Sequence, residues 1–418
     1  MRSFPNTLHK QMLVETGLKS GPKTSGGTAA FVAGTLGWTI DAFDFFLVVF
    51  CLTALGRDFR ITDATASLCI VTTLAFRPAG GFLFGLLADR YGRKTPLVCN
   101  LILCALVQCL SGLATDFTLF LASRALFGIV MGGQWGVGAS LAMEKVPAKY
   151  RGLFSGILQQ GYALGYLLAA LAYFLLFDKF GWRPLFFLAS VPALLAALFV
   201  AFQVEESEVW KQTRHETWQG LRAALLSNWK LFLYMTLFAM TMHMVAHGSQ
   251  DMYPTFLERQ WGFKTGQRAA LTAFSMVGAI FGGTLGGFLS DRFGRRRSIV
   301  AALGVGILVI PIWAFAPSLP LLVAGAFLIQ FCIQGAWGVV PAQLTELSPD
   351  SVRGFLPGFG NQCGVVLASV VVYLETLLAH ETSYAVAMAS TAGTVMAMAI
   401  GMTLLGGERK SVAFGTGK

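Results

Sequence analysis

Charged residues are scarce in this 418-residue chain. Asp, Glu, Lys and Arg together make up 12% of it, about half of the ~25% that is usual in soluble proteins. Hydrophobic residues make up 55%, and the mean hydropathy is +0.64. A bilayer-spanning helix needs about 20 apolar residues, so twelve such helices with short loops would use nearly the whole chain. The composition excludes a sizeable soluble domain and indicates a polytopic membrane protein.

The chain also lacks paired cysteines and an apolar leader. Its seven Cys lie within apolar stretches without a C-x-x-C pair, which indicates small core or lipid-facing residues rather than a disulfide framework. The first 28 residues contain no apolar h-region, so we predict no cleaved signal peptide. We attribute the net charge of +10 to basic cytoplasmic loops, not to nucleic-acid binding.

Apolar runs bounded by charged residues, Pro or Gly predict twelve transmembrane spans. They are placed at 29–55, 65–88, 95–114, 118–142, 152–177 and 184–203, and then at 230–257, 268–290, 298–316, 321–345, 354–379 and 384–405. The predicted organisation is an N-terminal tail (1–28), a six-helix bundle (29–204), a linker (205–229), a second six-helix bundle (230–406) and a C-terminal tail (407–418).

Basic residues are distributed unevenly between the two sides of these spans. Of the 31 Lys and Arg, 22 lie on the side shared by both termini and the linker. Seven lie on the opposite side: Arg57, Arg60, Lys179, Arg183, Arg259, Lys264 and Arg268. Cytoplasmic loops collect Lys and Arg, so we expect both termini in the cytoplasm and the protein in the plasma membrane, which is the inner membrane of a bacterium.

The two halves are related by a repeat with a constant offset of 202 residues. The stretch GFLFGLLADRYGRK at 81–94 returns as GGTLGGFLSDRFGRR around 282–296. The same offset relates Glu144 and Arg151 to Glu346 and Arg353. A fixed offset over two separated blocks indicates a duplication. Each unit has six spans, so both insert with the same orientation, an architecture that secondary transporters use.

The repeated motif G-x-x-x-D-R-x-G-R resembles the signature loop of the major facilitator superfamily. This resemblance covers essentially the whole chain and implies two six-helix bundles, a central cavity and rocker-switch alternating access. From the residues themselves, carboxylates at helix ends beside basic neighbours can latch one conformation on the cytoplasmic side. The alternative is helix capping and orientation alone. The candidate gating residues are Asp89, Arg93, Glu144, Arg151, Asp291, Arg295, Glu346 and Arg353.

Ionisable residues inside the spans require a partner or a role, because each costs about 2.5–3.5 kcal/mol on insertion scales. Asp41 and Asp44 in span one lie three positions apart and share a helix face. Arg77 and Arg124 are candidate partners, and an Arg can also bind an anionic substrate through a bidentate contact. A carboxylate that exchanges an Arg for a proton would couple transport to protons. The alternative is a permanent structural ion pair, in particular Asp44 with Arg124.

A stripe of polar residues marks span seven. Its members recur every four positions and share a helix face: His243, His247, Asp251 and Thr255. Such a stripe must face a water-filled cavity, and Pro254 is expected to break the helix near its outer end. The alternatives are a metal site, for which further ligands are lacking, and hydrogen bonding between helices.

The stretch H-G-S-Q-D-M-Y-P-T in span seven resembles a motif of the Jen-type lactate/pyruvate permeases, in the sialate:proton symporter branch. Matching residues are His247, Ser249, Gln250, Asp251 and Thr255, whereas His243 and Ala246 depart from the motif. GWTIDAFDFF, TLAFRPAGG and QQGYALGY in spans one, two and five are similar to this branch as well. The resemblance implies proton-coupled uptake of small monocarboxylates. It assigns importance to Arg77, His247, Gln250 and Asp251.

Further polar residues are predicted at cavity depth in spans five and eleven. They are Gln159, Gln160, Tyr162, Asn361 and Gln362. The two glutamines of span five precede the Asn–Gln pair of span eleven by 202 residues, so equivalent places in both halves are polar. Hydrogen bonds to substrate are one interpretation and helix packing is the other. Glu375 lies close to the outer end of span eleven and is interpreted as interfacial.

The sequence therefore predicts an all-α membrane protein that carries a small carboxylate together with a proton. A larger acid, such as sialic or an aromatic acid, is the alternative substrate and would need a roomier, more polar cavity. An enzyme is not expected, because G-x-S-x-G, H-E-x-x-H and P-loop motifs are missing. A non-transporting sensor would need a longer soluble segment than the linker. We predict no cofactor, no metal and no nucleic-acid partner, and a functional monomer in the bilayer.

Overall fold

The computed structural model describes residues 25–214 and 218–415. The predicted N-terminal tail, apart from residues 25–28, and the last three residues of the C-terminal tail lie outside this part. All regular structure of the described residues is helical. Twelve helical segments are long and apolar enough to cross a membrane, so the all-α class and the number of spans are confirmed.

The first half contains spans one to six. Spans one to four are single helices: Ser25–Asp58, Asp63–Tyr91, Lys94–Gly112 and Phe117–Lys145. Span five follows a short 3-10 turn and consists of Arg151–Gln159 and Gly161–Phe180, and span six is Trp182–Gln203. Two short helices, Glu208–Thr213 and Trp218–Ser227, belong to the linker.

The second half contains spans seven to twelve. Spans eight, nine and twelve are single helices: Thr265–Phe293, Arg295–Ala314 and Tyr384–Leu405. Spans seven, ten and eleven each consist of two helices: Trp229–Gln250 and Tyr253–Trp261, Leu319–Trp337 and Val340–Leu347, and Leu356–Ala368 and Val370–Glu381. The break in span seven places Pro254 in the first turn of the following helix, where the missing N–H is tolerated.

Each half packs as a six-helix bundle. In the first half, span one packs on five, two on four and three on six; in the second, seven packs on eleven, eight on ten and nine on twelve. The halves meet where span five contacts span eight and span two contacts span eleven. The linker and the segment after span twelve lie beside the loops that follow spans two and eight. We call this side the linker face and the opposite side the far face.

Two sharp turns at the linker face depend on glycine. Gly92 (φ 104°) and Gly294 (φ 101°) end spans two and eight in the region of positive φ that favours glycine. A carboxylate caps the helix after each turn: Glu206 accepts the Arg93 N–H (2.8 Å), and Glu408 accepts that of Arg295 (2.6 Å). Glu206 and Glu408 are also 202 residues apart, so the repeat extends into the segments that follow spans six and twelve.

Candidate functional site

A buried cation and a buried carboxylate lie together in the first half. Arg77 is 6% exposed and Asp41 is fully buried, and their charges interact. Neither carboxylate oxygen of Asp41 accepts a hydrogen bond from a described residue. Tyr162 lies near Arg77 and stacks on Trp38 with ring centroids 5.6 Å apart. A guanidinium and a carboxyl group are thus held near one another in a low-dielectric site with unused hydrogen-bonding capacity.

The polar stripe of span seven approaches this group from the second half. His243 Nε2 lies 3.1 Å from Asn361 Oδ1, and its ring centroid lies 4.7 Å from that of Trp337. His247 Nδ1 lies 3.0 Å from Asp251 Oδ2, and the Asp251 side chain is 42% exposed. The stripe therefore has a closed end at His243 and an open end at Asp251.

Charges of the two halves act on one another at this level. Arg77 of the first half acts on His243, and Asp251 of the second half acts on Tyr162. These interactions show that the two sets of residues lie near one another, on facing sides of the two bundles. We call them the central group, which consists of Asp41, Arg77, Tyr162, His243, His247 and Asp251.

The polar pairs of spans five and eleven divide into two kinds. Asn361 contacts His243 and therefore lies beside the central group, whereas Gln159 accepts the indole N–H of Trp135 within the first half (3.3 Å). Gln160 donates to the Gly156 carbonyl (3.2 Å) and packs against Gly283 across the halves. Gln362 donates to the Gly132 carbonyl (3.2 Å). In this conformation Gln160 and Gln362 lie in the contact between the halves.

Gln250, the remaining predicted polar residue of span seven, faces its own half. Its Nε2 donates to Gln330 Oε1 of span ten (2.8 Å), and its side chain is partly exposed. The amide oxygen is left for another donor.

Asp44 and Arg124 belong to a polar cluster inside the first bundle, and the charge of Asp44 also acts on Asp41. The charges of Asp44 and Arg124 act on one another without a direct contact: Asp44 accepts from Cys104 Sγ (3.1 Å), whereas Arg124 donates to Gln108 (3.2 Å) and to Ser111. The Arg124 guanidinium also lies among three rings, those of Phe120, Phe127 and Phe186, at 5.0–5.4 Å. Hydroxyl, amide and aromatic partners thus surround the guanidinium in addition to the nearby charge of Asp44.

Glu375 is buried, contrary to its interpretation as an interfacial residue. Its exposure is 1%, and neither carboxylate oxygen has a hydrogen-bond donor among the described residues. The neighbouring Thr376 contacts Met252 Sδ (3.6 Å), so this turn of span eleven lies against the break in span seven. The outer helix of span eleven turns this carboxylate inward, which its distance from the middle of the span does not reveal.

Four predicted gating residues form one network at the linker face. Asp89 accepts the N–H groups of Gly354 (2.7 Å) and Phe355 (3.0 Å) in the other half. Arg93 bridges Asp89 (2.9 Å) and Glu144 (3.2 Å), and Arg353 approaches Glu144 across the halves (3.7 Å). Burial alone would lower the pKa of Arg93, but the carboxylates of Glu144 and Asp89 outweigh it and raise that pKa.

The other four form the equivalent network 202 residues later. Asp291 accepts the N–H groups of Gly152 (2.7 Å) and Leu153 (2.8 Å). Arg295 bridges Asp291 (2.8 Å) and Glu346 (2.9 Å), and Arg151 reaches Glu346 across the halves (3.1 Å). The structure thus brings the eight residues into two related networks, each of which joins the halves and closes the linker face.

Comparison with known families agrees with this architecture. Residues 34–266 match the family model described as Major Facilitator Superfamily, and residues 226–406 match the one described as Sugar (and other) transporter. The chain belongs to the major facilitator superfamily. Because the superfamily consists of transporters, the chain is a multi-pass membrane transporter and not an enzyme.

Relatives within the superfamily include named transporters of acids. The carboxylic acid transporter protein homolog of Saccharomyces cerevisiae is 27% identical, over 91% of this chain and 68% of its own length. The cis,cis-muconate transport protein of Acinetobacter baylyi is 29% identical, over 82% and 85%. The sialic acid transporter NanX of Escherichia coli is 25% identical, over 82% and 86%.

A solved structure of the superfamily shares the fold. The proton:xylose symporter XylE bound to 6-bromo-6-deoxy-D-glucose superposes with a TM-score of 0.75, covering 94% of this chain and 98% of its own. The sequence identity is 18%. This likeness concerns the arrangement of the twelve spans and carries no information about the substrate of this chain.

Proposed function

We propose that the chain is a proton-coupled symporter of small monocarboxylates, of the lactate and pyruvate type, in the sialate:proton symporter branch. The central group carries this proposal, because it combines a buried guanidinium with a carboxylate that has no donor. A guanidinium binds a carboxylate through two parallel hydrogen bonds, so Arg77 would anchor the substrate. The name of the yeast relative, a carboxylic acid transporter homolog, supports this class of substrate.

Asp41 is the proposed proton carrier. An ionised carboxylate without a donor costs several kcal/mol in a protein interior, so its site favours the protonated acid. Loss of that proton leaves a charge that Arg77 must compensate, and Arg77 then releases the substrate. Asp251, at the open end of the stripe, would pass protons between the cavity and this pair. Asp44 and Arg124 remain predicted members of the coupling set, enclosed within the first bundle.

The remaining polar residues would orient the substrate. Hydroxyl, amide and imidazole groups are available for the hydroxyl or keto oxygen of such an acid. They belong to Tyr162, Gln159, His247, Gln250 and Asn361. Gln160 and Gln362 would join them only when the halves separate, because in the closed linker face both pack between the bundles. The gating residues would hold this closed state until the rocker-switch motion breaks both networks.

Uptake into proteoliposomes tests the proposal. With the outside one pH unit more acidic than the inside, labelled L-lactate should accumulate about tenfold, since one proton then supplies about 1.4 kcal/mol. A protonophore should abolish accumulation. The Asp41→Asn variant should lose accumulation while it retains lactate exchange at equal pH. The Asp178→Asn variant, at an exposed position, is the matched control. Accumulation that persists with the protonophore contradicts proton coupling.

A planar aromatic or unsaturated acid is the second candidate. The aromatic rings of Trp38, Tyr162 and Trp337 near the central group favour it, as does the name of the muconate-transporting relative. Competition of unlabelled lactate, nicotinate, muconate and sialic acid against labelled lactate distinguishes the two. Strong inhibition by nicotinate or muconate with weak inhibition by excess lactate would replace the first candidate by the second.

A further inference from the structure

The segment that follows span twelve crosses the linker face. The Lys410 ammonium donates to the Arg292 carbonyl (3.0 Å), and the Ser411 N–H donates to Glu346 (3.3 Å). The Gly415 N–H donates to Asp350 (2.8 Å). We call residues 410–415 the tail clip. It extends from the end of span eight to the turn before span eleven and passes over the gating networks.

Phe414 of the tail clip lies between arginines of the two halves. The guanidinium carbons of Arg151 and Arg353 each lie 3.7 Å from the centroid of the Phe414 ring. Two guanidinium groups at that distance cannot occupy the same face, so the ring separates them. Arg151 also donates to the Val412 carbonyl (3.0 Å). The two arginines are equivalent in the repeat, and Phe414 therefore lies on the axis that relates the halves.

This arrangement requires a closed linker face. Arg151 reaches Glu346 across the halves, and Arg353 reaches Glu144, so opening the face draws the two arginines apart. The ring can then contact only one of them. A cation over an aromatic face is attracted to it, and the ring also separates two like charges. The closed state gains both effects, and the open state loses at least one contact.

We propose that the tail clip is an intramolecular brake that stabilises the closed linker face. The tail clip consists of residues outside the proposed transport site. The brake is therefore independent of the substrate, and an experiment that contradicts it would leave the proposed function unchanged. Release of the clip should shift the transporter towards the state that is open at the linker face.

Distance measurements between spin labels test the brake. Tyr91 and Phe293 are exposed, repeat-related ends of spans two and eight, and labels at Y91C and F293C report opening. The accessible Cys99, Cys109 and Cys363 are replaced by Ser in the full-length background. Phe414→Ala should raise the ratio of open to closed populations about tenfold, because it removes the cation–π contact that the closed state has in excess and the separation of the two like charges. An unchanged distance distribution overturns the proposal.

Three further variants separate the contributions of the backbone, the bulk and the aromatic face of the tail clip. Val412→Ala is the matched control, because Val412 acts through its backbone carbonyl; its distribution should equal that of the unsubstituted tail. Phe414→Tyr should keep the closed state, whereas Phe414→Leu, which has bulk without an aromatic face, should open like Phe414→Ala. A Leu variant that stays closed would overturn the cation–π basis of the brake.

Discussion

Arg77 has the chemistry of an anion anchor, and its burial makes that role sensitive to substitution. Arg77→Gln removes both charge-assisted hydrogen bonds to a carboxylate, each worth about 1.5–3 kcal/mol. We expect the affinity for the substrate acid to fall at least about hundredfold in calorimetric titration of the purified protein. The affinity of the Arg77→Lys variant should lie between those of the unsubstituted protein and of Arg77→Gln, since Lys keeps the charge but cannot form two parallel hydrogen bonds.

Arg297→Gln, at an exposed position, is the control for the loss of one positive charge and should bind like the unsubstituted protein. Thermal unfolding of each variant shows whether the fold is retained. Unchanged affinity in a folded Arg77→Gln variant would remove the anchor role and leave Arg77 as a structural partner of Asp41.

The positions of charged residues were predictable from the sequence where the repeat duplicates them. Their partners and the directions of their side chains were less predictable, because these depend on burial. The eight predicted gating residues stand at equivalent positions of a duplicated motif, which the sequence alone reveals. The partners of Arg124 were not predictable, because aromatic rings and neutral amides can satisfy a guanidinium as a carboxylate does. The burial of Glu375 was not predicted for a related reason: the sequence shows the position of this residue along span eleven but not the direction of its side chain.

At the scale of helices, each half caps a helix of the other. Asp89 accepts two N–H groups at the start of span eleven, and Asp291 accepts two at the start of span five. Loss of such a cap costs about 0.5–2 kcal/mol, so Asp89→Ala should accelerate hydrogen exchange about tenfold in a peptide covering residues 350–360. Asp291→Ala should do the same for residues 150–156.

The effect of each substitution should therefore appear in the opposite half, as measured by mass spectrometry. Asp116→Ala is the control, because Asp116 caps Leu119 within its own half (2.9 Å). Acceleration confined to the half that carries the substitution would contradict the cross-capping arrangement. Apolar runs alone predict which spans exist, but such caps become visible only when both halves are placed together.

The helices also extend beyond the predicted spans. Span four was predicted at 118–142 and is helical over Phe117–Lys145, and span eight was predicted at 268–290 and is helical over Thr265–Phe293. Apolar runs measure the part of a helix that suits hydrocarbon, whereas the helices continue to the capping residues and turn glycines. The break after Gln159 in span five was missed, because no Pro or charged residue marks it.

For the whole molecule, closure of the linker face determines from which side of the membrane the central group is accessible. The networks and the tail clip close the linker face, while the exposed Asp251 side chain lies at the other end of the stripe. If the linker is cytoplasmic, as the excess of Lys and Arg on that side predicts, this conformation is open to the outside. Protons and substrate would then enter together from an acidic exterior.

Labelling of two variants, each with one introduced cysteine, tests this orientation in intact cells. Lys179 lies in the last turn of span five on the far face, Lys211 lies in the linker, and both are exposed. With Cys99, Cys109 and Cys363 replaced by Ser, a membrane-impermeant maleimide should label K179C in intact cells and K211C only after permeabilisation. Labelling of K211C in intact cells would reverse the topology. It would place the tail clip outside and make the present conformation open to the cytoplasm.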